Sequence, residues 1–160
     1  MVRVAFVLGL IRVTEAPAMT FPCGSFTEPR IADVLERKRG QLPLFVHAHP
    51  AETVKAVIET MREYDVSQLP VLKEEPPVMA AEVLGSITER DLLDALVSGR
   101  AAPGEPVLAH MSVPLPMIGS GEPISAAIAA LEKAGAAVVL VDGKPAGMIT
   151  RQDVLMFLSG

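Results

Sequence analysis

Apolar residues recur at helical spacing twice along the chain. Val54, Val57, Ile58 and Met61 lie on one helical face, and Ile124, Ala127, Ile128 and Leu131 repeat the pattern 70 positions later. Each predicted helix follows a cap-like stretch, His49-Pro50-Ala51-Glu52-Thr53 in the first and Gly121-Glu122-Pro123 in the second. The periodicity ends at Tyr64-Asp65 and at Ala134-Gly135. A β-type run follows each helix, residues 66–72 and 137–141, and in the second copy Asp142-Gly143 predicts a hairpin into Ala146-Gly147-Met148-Ile149. The first copy carries residues 73–82 instead, where Pro76-Pro77 marks a longer, irregular turn.

Both hairpins close on the same motif. GSITERD, residues 85–91, and GMITRQD, residues 147–153, read as a short apolar strand opening into a helix. Gly85 and Gly147 are 62 positions apart, so the first copy is longer by eight residues between its opening helix and this motif. The closing helices carry Leu92, Leu93 and Leu96 in one copy and Val154, Leu155 and Leu158 in the other, faces that require a partner sheet. A short lead-in precedes each unit, with residues 31–35 corresponding to 107–111. The expected organisation is a leader over 1–29, a first repeat over 30–98, a linker rich in Gly, Pro and Ala over 99–106 and a second repeat over 107–160.

In each motif a Thr precedes an Asp by three residues at a helix start, Thr88 with Asp91 and Thr150 with Asp153. That spacing satisfies a capping box. It also gathers a hydroxyl, a carboxylate and free backbone N–H groups where a sugar and an anion can be held. One copy alone reads as a cap; two copies in equivalent settings point to paired sites.

Composition narrows the partners. A hydrophobic content of 50% suffices for a core, while 4% aromatic residues and no Trp leave no stacking platform for single-stranded nucleic acid. The net charge of -5 opposes a duplex-binding face. No nucleic-acid partner is expected. The lone Cys23 cannot form an intrachain disulfide and fits a reducing, cytoplasmic setting. The apolar run Val4 to Ile11 is shorter than the about 20 residues of a membrane span and lacks the features of a signal peptide, so no membrane association is expected. The leader reads as an extension, partly disordered, with Met19 as an internal start. No nucleophile motif, phosphate loop or dinucleotide fingerprint is present, and no enzyme activity is expected. His47 and His49, with Glu52 nearby, lack a third well-spaced ligand and read as exposed or capping histidines rather than a metal site.

Over residues 31–160 the doubled Gly-x-x-Thr-x-x-Asp motif at the ends of paired hairpins resembles a tandem pair of CBS domains, a Bateman module. Residues 66–71 and 76–79 are similar to the C-terminal regulatory region of bacterial cystathionine β-synthases. The resemblance implies an α/β (α+β) fold of two βαββα units packed through their sheets about a pseudo-twofold axis. It also implies a non-catalytic module that binds an adenosyl ligand, S-adenosylmethionine or AMP, and transmits it as a conformational or oligomeric change. A disc-like homodimer and a pyridoxal-phosphate enzyme domain in cis or trans are the expected partners; a dimerisation module without ligand is the alternative. Under this resemblance Asp153 and Asp91 accept from ribose hydroxyls and Thr150 and Thr88 bind ribose or the polar tail. Val66, Ser67 and Gln68 complete the Thr150/Asp153 site, and Ala136, Ala137 and Val138 complete the Thr88/Asp91 site. Arg151 offsets an anionic tail, whereas Glu89 in the equivalent place repels one, which makes the Thr150/Asp153 site the stronger.

Overall fold

The computed structural model describes residues 27–39 and 45–160. The leader's apolar run, Met19 and Cys23 lie outside the described residues. Helix α1 spans Ile31–Lys38, and its buried Ile31, Val34 and Leu35 fall at i, i+3 and i+4. The first repeat continues with α2 (Val54–Glu63), β1 (Gln68–Leu72), a 3-10 turn (Ala80–Glu82), β2 (Val83–Thr88) and α3 (Glu89–Val97). The second has a 3-10 turn (Val107–Ala109), β3 (Met117–Gly119), α4 (Ile124–Lys133), β4 (Ala136–Val141), β5 (Lys144–Thr150) and α5 (Arg151–Leu158). The mixed α/β class expected from the sequence is the observed one.

The two sheets share one design. β1 and β2 are antiparallel with Gln68 opposite Thr88, and β4 and β5 are antiparallel with Ala136 opposite Thr150. Both hairpins shift register at the same place, after Val71 in one and after Val139 in the other. In the second repeat β3 runs parallel to β4 with Ile118 opposite Val139, and the first repeat keeps one parallel bridge, Ala48 with Val71, at the matching position. The Asp142-Gly143 turn has φ of 51° and 74°, the doubly left-handed geometry of a tight hairpin.

The register locates the eight extra residues of the first repeat. Val54 and Ile124 are 70 apart, Gln68 and Ala136 are 68 apart, and Thr88 and Thr150 are 62 apart. Two of the eight therefore lie between α2 and β1, and six form the hairpin insertion around Pro76-Pro77.

The lead-ins are exchanged between repeats. α1 packs in the core of the second repeat, where Ile31, Val34 and Leu35 meet Ile118, Ala127, Ile149 and Val154. Val107 packs in the core of the first, among Val54, Val57, Leu69 and Leu92. The backbone ties are equivalent on both sides: Ile31 N donates to Glu122 O at 2.9 Å and Ala32 N to Ser120 O at 2.8 Å, while Val107 N donates to Glu52 O at 2.8 Å and Leu108 N to Pro50 O at 3.1 Å. Between the sheets, Phe45 and Met117 pack against Leu72 and Val83 on one side and Leu115 and Val138 on the other.

Candidate functional site

Each closing helix begins at a Thr that caps it. Thr88 Oγ1 accepts from Asp91 N at 3.0 Å, and Thr150 Oγ1 accepts from Asp153 N at 3.2 Å. Beyond that shared geometry the two carboxylates differ. Asp153 Oδ2 accepts from Thr150 N at 2.8 Å and Thr150 Oγ1 at 3.0 Å, and forms an ion pair with Lys38 Nζ at 2.9 Å. Lys38 Nζ also donates to Met148 O at 3.1 Å, so the last turn of α1 is fixed across the entrance of α5. Asp91 has one hydrogen-bond partner for its carboxylate among the described residues, Ser112 Oγ, at the long distance of 3.4 Å.

A cleft opens at each carboxylate, walled by the closing helix of one repeat and the lead-in that crosses to it. The Asp153 cleft has a volume of about 370 Å³ and is lined by Val34, Arg37, Lys38, Gln152, Met156 and Phe157. Arg37 is held there by a hydrogen bond from Nη1 to Phe157 O at 3.2 Å, with its guanidinium 6.0 Å from the Phe157 ring centre. The Asp91 cleft, about 230 Å³, is lined by Asp94, Ala95, Arg100, His110, Met111 and Ser112. Val34 and His110, like Asp153 and Asp91, stand at equivalent places in the two lead-ins and closing helices. The first cleft carries two cations against one carboxylate; the second carries one Arg and a His against two carboxylates.

Gly85 shapes the wall of the second cleft. Ser86 and Ser112 pair through N–H to O bonds of 3.0 and 2.7 Å, which brings the 112 backbone across β2. A methyl group on Gly85 would collide with Ser112 O and sit 3.2 Å from Met111 Sδ. Ser86 itself is buried and donates Oγ to Val113 O at 2.7 Å.

Several expected site residues stand elsewhere. Arg151 does not face Asp153: its Nε donates to Leu131 O at 2.8 Å, and the side chain lines an apolar groove with Ile128, Val154, Leu155 and Leu158. Positions one and three of a helix are about 200° apart around its axis, which separates Arg151 from Asp153. Glu89 occupies the equivalent groove of the first repeat, with Ile58, Arg62, Val66 and Ser67. Val66 and Ser67 lead into β1, which Gln68 opens. Antiparallel pairing sets Gln68 opposite Thr88 of its own repeat, and Ser67 O accepts from Glu89 N at 2.8 Å. Gln68 also reaches the other repeat, where its Nε2 would lie 2.8 Å from a methyl placed on Gly135, one residue before the Ala136 that pairs with Thr150. Ala136, Ala137 and Val138 are fully buried and pair with Thr150, Ile149 and Met148.

Of the residues not anticipated, Arg37, Lys38, His110 and Ser112 belong to or adjoin the crossing segments, and the placement of each lead-in on the opposite repeat brings them to the carboxylates, whereas Arg100 follows α3 of the same repeat as Asp91. Among the described residues no helix is long and apolar enough to cross a membrane.

Elsewhere on the surface, His49 Nε2 lies 2.9 Å from Glu75 Oε1 and His47 Nε2 lies 3.4 Å from Glu75 Oε2. Hydrogen bonding with His49 holds the Glu75 carboxyl below the usual carboxylate range; desolvation opposes it, and the neighbouring His47 and His49 rings add to the lowering.

Solved structures of similar architecture were found. A signal-transduction protein with CBS domains from Burkholderia ambifaria superposes with a TM-score of 0.69 at 19% identity, over 81% of this chain and 93% of that one. The CBS-domain protein ATU1752 from Agrobacterium tumefaciens gives 0.66 at 21% identity, over 84% and 97%. The CBS domain pair of protein MJ0100, solved in complex with methylthioadenosine and S-adenosyl-L-methionine, gives 0.66 at 17% identity, over 84% and 98%. At these identities the likeness establishes the fold. The family itself is established by sequence, because the CBS domain family matches residues 43–98 and again 107–160. With two matched copies, exchanged lead-ins and a Thr and Asp pair at each closing helix, the chain belongs to the CBS domain family as a tandem pair.

Proposed function

We propose that this CBS pair is a non-catalytic regulatory module that binds an adenosyl ligand at the clefts beside Asp153 and Asp91. The observation that carries this reading is the Asp153 cleft, which sets a carboxylate beside Lys38 and Arg37 in a space of about 370 Å³. A carboxylate supplies acceptors for the two hydroxyls of a ribose, and the two cations supply donors for a phosphate. AMP matches that arrangement. A ligand bridging α1 and α5 would bind most tightly to one arrangement of lead-in and repeat, and this difference is what would be transmitted. The binding of adenosyl compounds by the MJ0100 pair supports the ligand class.

The Asp91 cleft favours a second ligand charge. With Asp91 and Asp94 facing Arg100, it suits a cationic adenosyl compound such as S-adenosylmethionine better than a nucleotide. The narrower likeness to cystathionine β-synthase regulatory regions, and with it a pyridoxal-phosphate enzyme as the regulated partner, rests on residues 66–71 and 76–79. We hold it as part of the proposal only in that sense.

A homodimer completes the reading. The outward groove of the first repeat presents Ile58 with Arg62 and Glu89, and that of the second presents Ile128 with Glu132 and Arg151. The charges are reversed at equivalent places, so groove one of one copy complements groove two of another.

Calorimetric titration with AMP and S-adenosylmethionine tests the function. Binding of AMP that is lost in Asp153→Ala and kept in Asp91→Ala supports the assignment. No heat and no thermal stabilisation with either compound leaves the interaction-module alternative standing.

A further inference from the structure

The hairpin insertion of the first repeat brings Glu75 over two histidines that the clefts do not use. His49 Nδ1 lies 3.2 Å from Leu72 O. A carbonyl only accepts, so Nδ1 carries the hydrogen, and in the neutral ring Nε2 presents a lone pair. That lone pair faces Glu75 Oε1 at 2.9 Å. A lone pair and a carboxylate at this distance repel unless a cation, either a proton or a metal ion, lies between them. His47 Nε2 approaches the other carboxylate oxygen at 3.4 Å, and its Nδ1 is buried without a partner among the described residues, so the ring binds through Nε2. The two rings are 5.0 Å apart, edge to face, and one ligand atom from each of the three residues lies within 4.8 Å of the others.

We propose that His47 Nε2, His49 Nε2 and the Glu75 carboxylate form a binding site for a divalent transition-metal ion of the zinc class. Two imidazoles and a carboxylate are ligands that suit such an ion, and three protein ligands leave a fourth position for water. Leu72 O is the outer partner that orients the His49 ring. Glu52, the acidic residue nearest in sequence, stands outside the group and accepts from His49 N at 3.2 Å. The second repeat has no counterpart: Met117 and Gly119 stand where His47 and His49 do, and its short hairpin lacks the insertion. The site is therefore particular to one half of the pair. Its ion would brace the insertion, whose far end reaches the second repeat through Ala80 N and Gly143 O at 3.0 Å.

The test uses the full chain, freed of any polyhistidine tag, titrated with zinc by calorimetry and with cobalt(II) as an optical probe. The expected result is one equivalent bound per chain, the visible absorption of nitrogen- and oxygen-ligated cobalt, and at least about a tenfold loss of affinity in Glu75→Gln and in His49→Ala. Cys23→Ser should bind as the parent does. Glu75 is exposed, so Glu75→Gln reports on binding without loss of fold, which circular dichroism checks. Absence of saturable zinc binding overturns the proposal. So does binding that Glu75→Gln and His49→Ala leave unchanged, or that Cys23→Ser abolishes.

Discussion

Lys38, in the last turn of α1, reaches across to the second repeat and sets its Nζ 2.9 Å from Asp153 Oδ2. Both side chains are about four-fifths buried, at 19% and 22% exposure, so the pair is shielded better than a surface salt bridge. Lys38→Met should lower stability by about 1 kcal/mol, or ~2–4 °C in Tm, because Asp153 keeps its Thr150 partners while losing its cation. The same variant should weaken AMP more than S-adenosylmethionine, read by paired calorimetric titrations. An unchanged AMP affinity would remove Lys38 from the site.

The two motif aspartates should respond unequally to the same change. Asp153→Ala removes a reciprocal cap and strands Lys38, with an expected cost of about 2–3 kcal/mol. Asp91→Ala leaves the Thr88 cap in place and removes only a 3.4 Å contact, with an expected cost below about 1 kcal/mol. Urea midpoints of the two variants, at equal slopes, give the comparison; equal losses would contradict the geometry.

Gly85 and Gly135 both have close neighbours but differ in what those neighbours can do. A methyl on Gly85 meets the Ser112 backbone, which is held on both sides of the Ser86 bridge, and should cost about 1–3 kcal/mol. On Gly135 it meets the amide end of Gln68, a side chain free to turn away, so Gly135→Ala should cost less than about 1 kcal/mol. Thermal unfolding of the two variants distinguishes them.

The outward grooves predict the mode of association. Leu155, 61% exposed, lines the groove of the second repeat, and Leu155→Glu should shift the proposed dimer toward monomer in sedimentation at several concentrations. Arg151→Glu should do the same, and adding Glu89→Arg should restore association if groove one meets groove two across the dimer. Failure of the second charge to rescue would indicate like-to-like pairing of the grooves.

Local chemistry carried most of the fold. The helical faces of residues 54–61 and 124–131, the Asp142-Gly143 turn and the Thr caps are each determined by neighbours within a few positions, and each was readable without coordinates. The allocation of α1 was not. An apolar stripe of Ile31, Val34 and Leu35 declares that a helix must be covered but carries no label for which repeat covers it. Lys38, Arg37 and the surroundings of Asp153 depend on that choice, as Ser112 and the surroundings of Asp91 depend on the matching placement of residues 107–111. Glu75 was hidden for a different reason: an irregular insertion has no periodicity from which to infer where its tip returns. Arg151 follows Thr150 in sequence, but adjacency in sequence is not adjacency on a helix, and its Nε turns to Leu131 O.

The exchange of lead-ins bears on how such a chain is assembled. A lone repeat with its own lead-in cannot use that segment on itself in the arrangement seen here, since α1 fills the other half's core and Val107 fills the first. Two separately expressed halves, divided within residues 99–106, should therefore reconstitute by fragment complementation, each donating a segment the other lacks. Either half expressed alone should leave bare the core surface that the other half's lead-in covers.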